Sequence, residues 1–441
     1  MTVTITKIRK YLFYLLLFLL PWQTRWIIRD SVINGEVWEY GRVSLYGWDI
    51  LLVFLLVVCL PVICLKIKNL KFPSTNWRIK IRIFSQPFFY YFLLLFFTLT
   101  SLFWAHDKLL IWFWVARLLE VGLLWLIVWS IKPNLEKISL SLMAAGIVQA
   151  VWAIGQFAYQ TTWASKWLGV AEHPLFQPGS SVVLASTGRW LRAYAGQVHP
   201  NVLGGLLVMT LLFTVYLLIN NFYKAEYFKL RLGLLAFYVI QLGGLFFTFS
   251  RGAWLAWFIS LIAWWSFIKM DRKILSKLGL TAALVFVVLG VVNWQPTVGR
   301  LLGGSRLEQQ SVEERVGSIG DSRTILHDSW FQGVGLGNYT VKLQQYQPGL
   351  KIYKYQPVHN LWLLILTEIG FIGLVLWLVI WVLSWLSVKS IFIKLLSLPI
   401  IITGLVDHYW WTSASMFLLW WLLIILANIE DSKTEIDILR G

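Results

Sequence analysis

Residues 359–386 read HNLWLLILTEIGFIGLVLWLVIWVLSWL. After the opening His-Asn, Glu368 is the only charged residue, and the apolar run exceeds the roughly 20 residues that cross a bilayer as a helix. This is a membrane span. Eleven further runs read the same way: 11–28, 47–65, 84–105, 109–131, 138–158, 200–219, 232–249, 252–268, 278–294, 391–409 and 411–427. Of the 441 residues, 58% are hydrophobic and 13% charged, whereas soluble domains run near a quarter charged. A water-soluble enzyme is excluded, and so is a disordered chain, which needs low hydrophobicity. The first run follows Lys7, Arg9 and Lys10 as a signal peptide would. Pro21, Trp22 and Gln23 stand where small cleavage-site residues belong, so it reads as a first span. The expectation is an all-α polytopic membrane protein of about 12 transmembrane helices, one integral unit over 1–441.

The formal net charge is +17. With the N-terminus inside, the cytoplasmic loops are 66–83, 132–137, 220–231, 269–277, 387–390 and the C-terminal tail. These hold a large excess of Lys and Arg, and the other face is close to balance, as the positive-inside rule requires. Both termini are expected in the cytoplasm, with two large, partly helical outer loops at about 159–198 and 295–358. The basicity thus reports orientation and contact with anionic lipid. No nucleic-acid-binding motif is present. The two cysteines, Cys59 and Cys64, exclude a disulfide scaffold.

The outer cations are mainly arginines, among them Arg189, Arg192, Arg251, Arg315 and Arg323, whereas the inner ones are mainly lysines. Lysine satisfies orientation; arginine suits planar, multidentate binding of phosphate or carboxylate. The plainer reading is interface anchoring with ion pairs to Glu313, Glu314 or Asp321. All six histidines (106, 173, 199, 327, 359 and 408) fall on the outer side, so imidazole chemistry would be exterior.

Three stretches concentrate polar residues. Arg192-Ala-Tyr-Ala-Gly196-Gln-Val-His199-Pro200-Asn201 enters the sixth expected span; Pro200 suits a first helical turn, and His199 or Asn201 can satisfy free backbone groups there. Thr248-Phe-Ser250-Arg251-Gly252 breaks one apolar run from the next, and Arg251 either snorkels to headgroups or serves a site. Gly333-Val-Gly335-Leu-Gly337-Asn338-Tyr339 precedes His359-Asn360 and Gly370-Phe-Ile-Gly373. The glycine triplet lacks the strand and helix of a nucleotide loop and reads as a flexible or close-packed turn. His359 heads a span. Glu368, nine residues on and on the opposite helix face, is an intramembrane carboxylate, functional or paired by default.

In this order, with twelve spans and a large penultimate outer loop, these motifs resemble the O-antigen ligase/polymerase family of membrane glycosyltransferases. The likeness covers nearly the whole chain and is strongest over 188–375. In one departure, Ala195 stands where glycine is expected. The resemblance implies transfer of a glycan from an undecaprenyl-type polyprenyl diphosphate to an acceptor hydroxyl, on the outer face of the bacterial cytoplasmic membrane. This is the chemistry of lipopolysaccharide and other cell-surface polysaccharides, without metal, cofactor or nucleotide sugar. The implied partners are the lipid-linked donor, a glycan, lipid or protein acceptor, and membrane lipid. Arg192 and Arg251 would stabilise charge growing on the leaving diphosphate, with Arg189 an alternative to Arg192 and Arg315 and Arg323 in reserve. His359 would take the acceptor proton, since imidazole suits that task near neutral pH. Asn201, Asn360 and Glu368 would contact substrate. Ligase and polymerase differ only in acceptor, and the His-Asn motif tilts towards ligase. The rival is a transporter of lipid-linked sugar or small anions, whose marks are mid-membrane charges. Arg117 and Glu120, three apart on one helix face, are such charges, or else a structural ion pair.

Overall fold

The run that begins at His359 forms one long helix, Leu361–Ser387, in the computed structural model, which describes residues 2–69, 86–222, 228–303 and 306–429. Asn360 caps its start, its Oδ1 accepting the Leu363 N–H at 2.9 Å. The helix kinks at Gly370, whose φ of 65° and ψ of −174° are open to glycine and strained for other residues. The kink frees the Thr367 and Glu368 carbonyls, and the glycine segment supplies their donors. Val334 N–H reaches Thr367 at 3.0 Å and Gly335 N–H reaches Glu368 at 2.9 Å. The triplet is therefore a close-packed turn laced onto the kink. A Cβ on Gly337 (φ 76°) would sit 2.4 Å from the Trp114 ring.

The chain is mostly helical. Among the described residues, seven helices are long and apolar enough to cross a membrane: Gly47–Lys68, Lys108–Ile131, Leu135–Tyr159, Pro200–Asn221, Phe228–Phe247, Arg272–Val292 and Leu361–Ser387. Seven of the twelve expected runs thus form helices of full length. The runs 84–105, 252–268 and 411–427 yield shorter helices, at Pro87–Thr100, Arg251–Phe267 and Ala414–Ile429. The run 11–28 is displaced: its helix, Thr2–Leu19, ends before Pro21, and Arg25–Arg29 becomes a strand. The run 391–409 breaks into Ile391–Leu395 and Leu398–Gly404. Pro399 lacks an N–H and opens the second helix instead of continuing the first. The inner loop 66–83 lies largely, and the tail beyond 429 wholly, outside the described residues.

The all-α expectation also missed three β-hairpins found among the described residues. Arg25–Arg29 pairs with Val43–Tyr46, and a smaller hairpin turns between them at Asn34-Gly35, where both residues have positive φ. Asn-Gly is the strongest short hairpin signal. Val182–Ala185 pairs with Gly188–Leu191 inside the segment 159–198, which holds no helix beyond Tyr159 among its described residues. The segment 295–358 is partly helical as expected, with Arg306–Ser329 and Tyr339–Tyr346.

The core is apolar side chains from nearly every helix. A charge cluster lies deep within it: Arg117, bonded to Asp49 at 2.5 and 2.8 Å and to Glu120 at 2.8 Å, with the Tyr46, Trp48 and Phe113 rings around it. Asp49 also accepts the Tyr46 N–H at 2.7 Å. These charges hold neighbouring helices together, which accounts for them without transport.

Candidate active site

The hairpin 25–46, the segment 179–202, the Gly337 turn and the 405–414 turn converge at one end of the bundle. They enclose a cavity of about 470 Å³, lined by His199, Asn201, His359, Glu368, Asp407 and His408 among others. Four of these were sequence candidates or their neighbours. Asp407 and His408 were not chosen, because they close the expected apolar run 391–409; an Asp-His pair at the end of such a run was the available signal.

Polar contacts link these residues in series. Arg192, buried, donates Nε–H to the Thr248 carbonyl at 2.8 Å and Nη2–H to Asn201 Oδ1 at 2.7 Å. Asn201 Nδ2–H donates to Asp407 Oδ2 at 2.8 Å. Asp407 Oδ1 accepts the His408 N–H at 2.8 Å. His408 lies between Tyr40 and His359, with ring centroids 6.0 and 5.3 Å away, and its Nδ1 meets Thr412 Oγ1 at 2.9 Å. Burial opposes ionisation of Asp407, but the facing His408, His359 and His199 and the Asn201 amide outweigh it and keep the carboxyl below its usual range. Burial pushes His408 down to about 4, so it is neutral at pH 7.

The two candidate bases are placed very differently. His199 has both nitrogens engaged: the Asn201 N–H donates to Nδ1 at 3.1 Å, which leaves Nε2–H to donate to Ser181 Oγ at 2.8 Å. Burial, then Arg192, pushes it down to about 3. It is a neutral structural residue. His359 instead has its buried Nδ1 without a partner. Burial lowers its pKa, opposed by Asp407 and reinforced by Arg315, so it too is neutral at pH 7 and able to accept a proton.

The arginines divide. Arg192 sits in the network; Arg189 lies apart, its Nε–H donating to the Leu175 carbonyl at 2.9 Å. Arg251 is ion-paired. Its Nη2 lies 2.6 Å from Glu308 Oε2, and Glu308 also pairs with Arg300, whose Nε–H donates to the Phe249 carbonyl at 2.8 Å. The Thr248–Arg251 break thus docks two other arginines on its carbonyls. Arg315 has a buried Nε with no partner. Arg300 and Arg315 repel Arg192, and Arg251 and Arg315 repel Arg300, with Glu308 acting on both. Burial and then Arg300 depress Arg192 strongly. A guanidinium answers such a field by recruiting an anion, since it does not lose its proton in proteins. None of these four lines the cavity; Arg25 and Arg42 do, paired with Glu39 and Asp30. Arg323 is exposed on the Arg306–Ser329 helix.

Asn360 is the helix cap already described, and its Nδ2–H ties the Leu405 carbonyl at 3.2 Å, holding the 405–408 turn against His359. Glu368 is held by Trp411 Nε1–H at 2.8 Å, and the Gly337 and Tyr339 backbone N–H groups also face it. Where glycine was expected, Ala195 has a φ of 48°, in the region glycine favours. Gln156 secures that turn, accepting the Tyr194 and Ala195 N–H groups at 3.0 and 2.7 Å.

His359, Asp407 and His408 each offer one ligand atom, all within 4.8 Å of one another. Two imidazoles and a carboxylate are a donor set that suits a transition-metal ion. The same set also suits proton transfer between a base and a carboxylate.

Residues 236–378 match the family described as O-Antigen ligase. The resemblance read from the sequence is borne out over that stretch, which carries Arg251, Arg300, Glu308, Arg315, His359 and Glu368. Arg192, Asn201 and Asp407 fall outside it. No curated protein matches the chain. The match and the seven membrane-length helices together support a multi-pass membrane protein with an O-antigen-ligase-like segment at 236–378.

Proposed function

We propose, with the O-antigen ligase match as premise, that the chain moves a glycan from a polyprenyl diphosphate to an acceptor hydroxyl. The observation that carries this is a charge imbalance that reaches His359: Arg251 and Arg300 share Glu308, Arg192 and Arg315 add to their field, and Arg315 also acts on His359, a neutral imidazole with an unpartnered nitrogen. A diphosphate is the anion that such a cluster suits. Arg192, Arg251, Arg300 and Arg315 stabilise the charge that grows on its bridging oxygen as the sugar–oxygen bond breaks. The acceptor oxygen forms the new bond to the sugar's anomeric carbon. Its proton passes to His359, the old bond's electron pair leaves with the diphosphate, and polyprenyl diphosphate is released.

Asp407 favours the imidazolium as it forms, and Asn201 ties Asp407 to Arg192, so base and cation cluster are positioned together. No step requires a metal ion. The reading treats 1–441 as one unit, with both termini in the cytoplasm, 159–198 and 295–358 outside, and the site on the outer face of the cytoplasmic membrane. The charge asymmetry of the loops supports that orientation. The His-Asn motif favours a ligase over a polymerase. Transfer by the purified chain in nanodiscs, from polyprenyl-diphosphate glycan to added acceptors, tests the activity directly. Intact donor after incubation with every acceptor class would refute it. Cysteine labelling at Gln347 from the cytoplasmic side alone would overturn the orientation.

A further inference from the structure

His359 belongs to two cavities. Beside the bundle cavity lies a second of about 550 Å³, between the Arg306–Ser329 helix and the segment 347–357, and Gln356, Pro357 and His359 line both. Its character is different. Glu313, Glu314 and Asp321 face it against the single cation Lys354. Among the described residues none of these carboxylates is in an ion pair. Two are held by amides instead: Gln310 donates to Glu314 at 2.8 Å and Gln347 to Asp321 at 2.6 Å. Tyr353, 41% exposed, also lines it.

These properties select a ligand. Carboxylates and amides accept and donate hydrogen bonds to sugar hydroxyls, and an aromatic face covers the apolar side of a pyranose ring. Three unpaired carboxylates repel diphosphate and acidic sugars. Arg315 acts on His359, and no member of the arginine cluster lines this cleft. We infer that this cleft is the acceptor subsite and takes the end of a saccharide without negative charge. The inference rests on the reading of His359 as the base. A hydroxyl held in the cleft then ends at that imidazole, and the cleft's carboxylates keep the diphosphate out of it.

The full-length protein in nanodiscs can be titrated with maltotriose, a neutral probe, and with trigalacturonate, its acidic counterpart, at fixed ionic strength. Two variants accompany it: Tyr353→Ala, and Glu313→Gln with Asp321→Asn. Glu314 is left alone because its charge acts on His359. The parent should bind maltotriose at least about tenfold more tightly than trigalacturonate, the scale of one like-charge contact. The double variant should lose that preference while melting at the parent temperature, and Tyr353→Ala should weaken maltotriose about tenfold. Equal or tighter binding of trigalacturonate, a preference that survives the double variant, or binding of neither sugar would overturn the inference. Donor turnover separates it from the reading of function. If the parent transfers glycan but the variants keep its acceptor KM, the cleft assignment fails alone. If the cleft binds as described and no donor is consumed, the transferase reading fails alone.

Discussion

Arg192 and Asp407 are joined through one side chain: Asn201 accepts from the guanidinium at 2.7 Å and donates to the carboxylate at 2.8 Å. The link ties the loop before the Pro200–Phe222 helix to the 405–408 turn, and places a cation and an anion on either side of a single amide. Asn201→Leu fills similar space and makes neither bond. It should leave two buried ionic groups each short of a partner, at about 1–3 kcal/mol apiece. A thermal melt of the purified protein checks this; an unchanged midpoint would mean that the bridge holds nothing.

Arg192 and Arg251 each use two nitrogens, on Thr248 and Asn201 and on Glu308 and the Arg300 carbonyl respectively. Lysine keeps the charge and loses the fork. Both Lys variants should therefore transfer glycan nearly as poorly as the Ala variants, about 10²–10³ below the parent. Parent-like single-turnover rates in both would sink diphosphate binding by these residues.

His359 must be neutral to accept a proton. Burial holds its pKa below 6.5, with Arg315 acting in the same direction and Asp407 and Glu314 opposing. Activity should accordingly be low in acid, rise as pH passes through that lowered value, and level off by neutral pH. Glu314→Gln removes an opposing charge and should move the acid limb to lower pH. His359→Ala should slow transfer about 10²–10⁴-fold with donor binding retained. His199→Ala should chiefly lower the melting temperature, because both its nitrogens hold backbone or Ser181. Loss of donor binding in the His359 variant would instead place that residue in the diphosphate site.

Arg117 pairs with both Asp49 and Glu120 deep among apolar side chains. Arg117→Ala leaves two buried carboxylates unpaired and should cost about 3–5 kcal/mol. Detergent-solubilised yield and melting temperature would register it. A well-folded variant with altered ion flux in liposomes would revive transport as this cluster's role.

His359, Asp407 and His408 could also gather a metal ion. Because transfer as proposed uses the free imidazole, a strong chelator should leave the rate unchanged, and added Zn²⁺ should inhibit by occupying the base. Activity abolished by chelator and restored by metal would assign the trio to a metal instead.

The apolar runs and loop charges settled, from sequence alone, that this is a helical membrane chain. Burial of twenty apolar residues is a local property, legible wherever it occurs. Span ends were less legible: Pro21 and Pro399 each cut an expected helix, because a missing N–H and a fixed φ act at one residue while hydropathy averages over twenty. His359, Arg192, Asn201 and Glu368 could be picked out because polar residues at the edges of apolar runs are conspicuous. Their partners could not. Asp407 meets Asn201 only when two distant turns are brought together, and Arg251 meets Glu308 only when the Arg306–Ser329 helix lies across the break at Ser250. Likewise, His199 and His359 look alike as sequence, each opening an apolar run. Tertiary structure separates them, saturating both nitrogens of one and leaving a nitrogen of the other unpaired, since hydrogen-bond satisfaction depends on which chains arrive and not on which residues are adjacent.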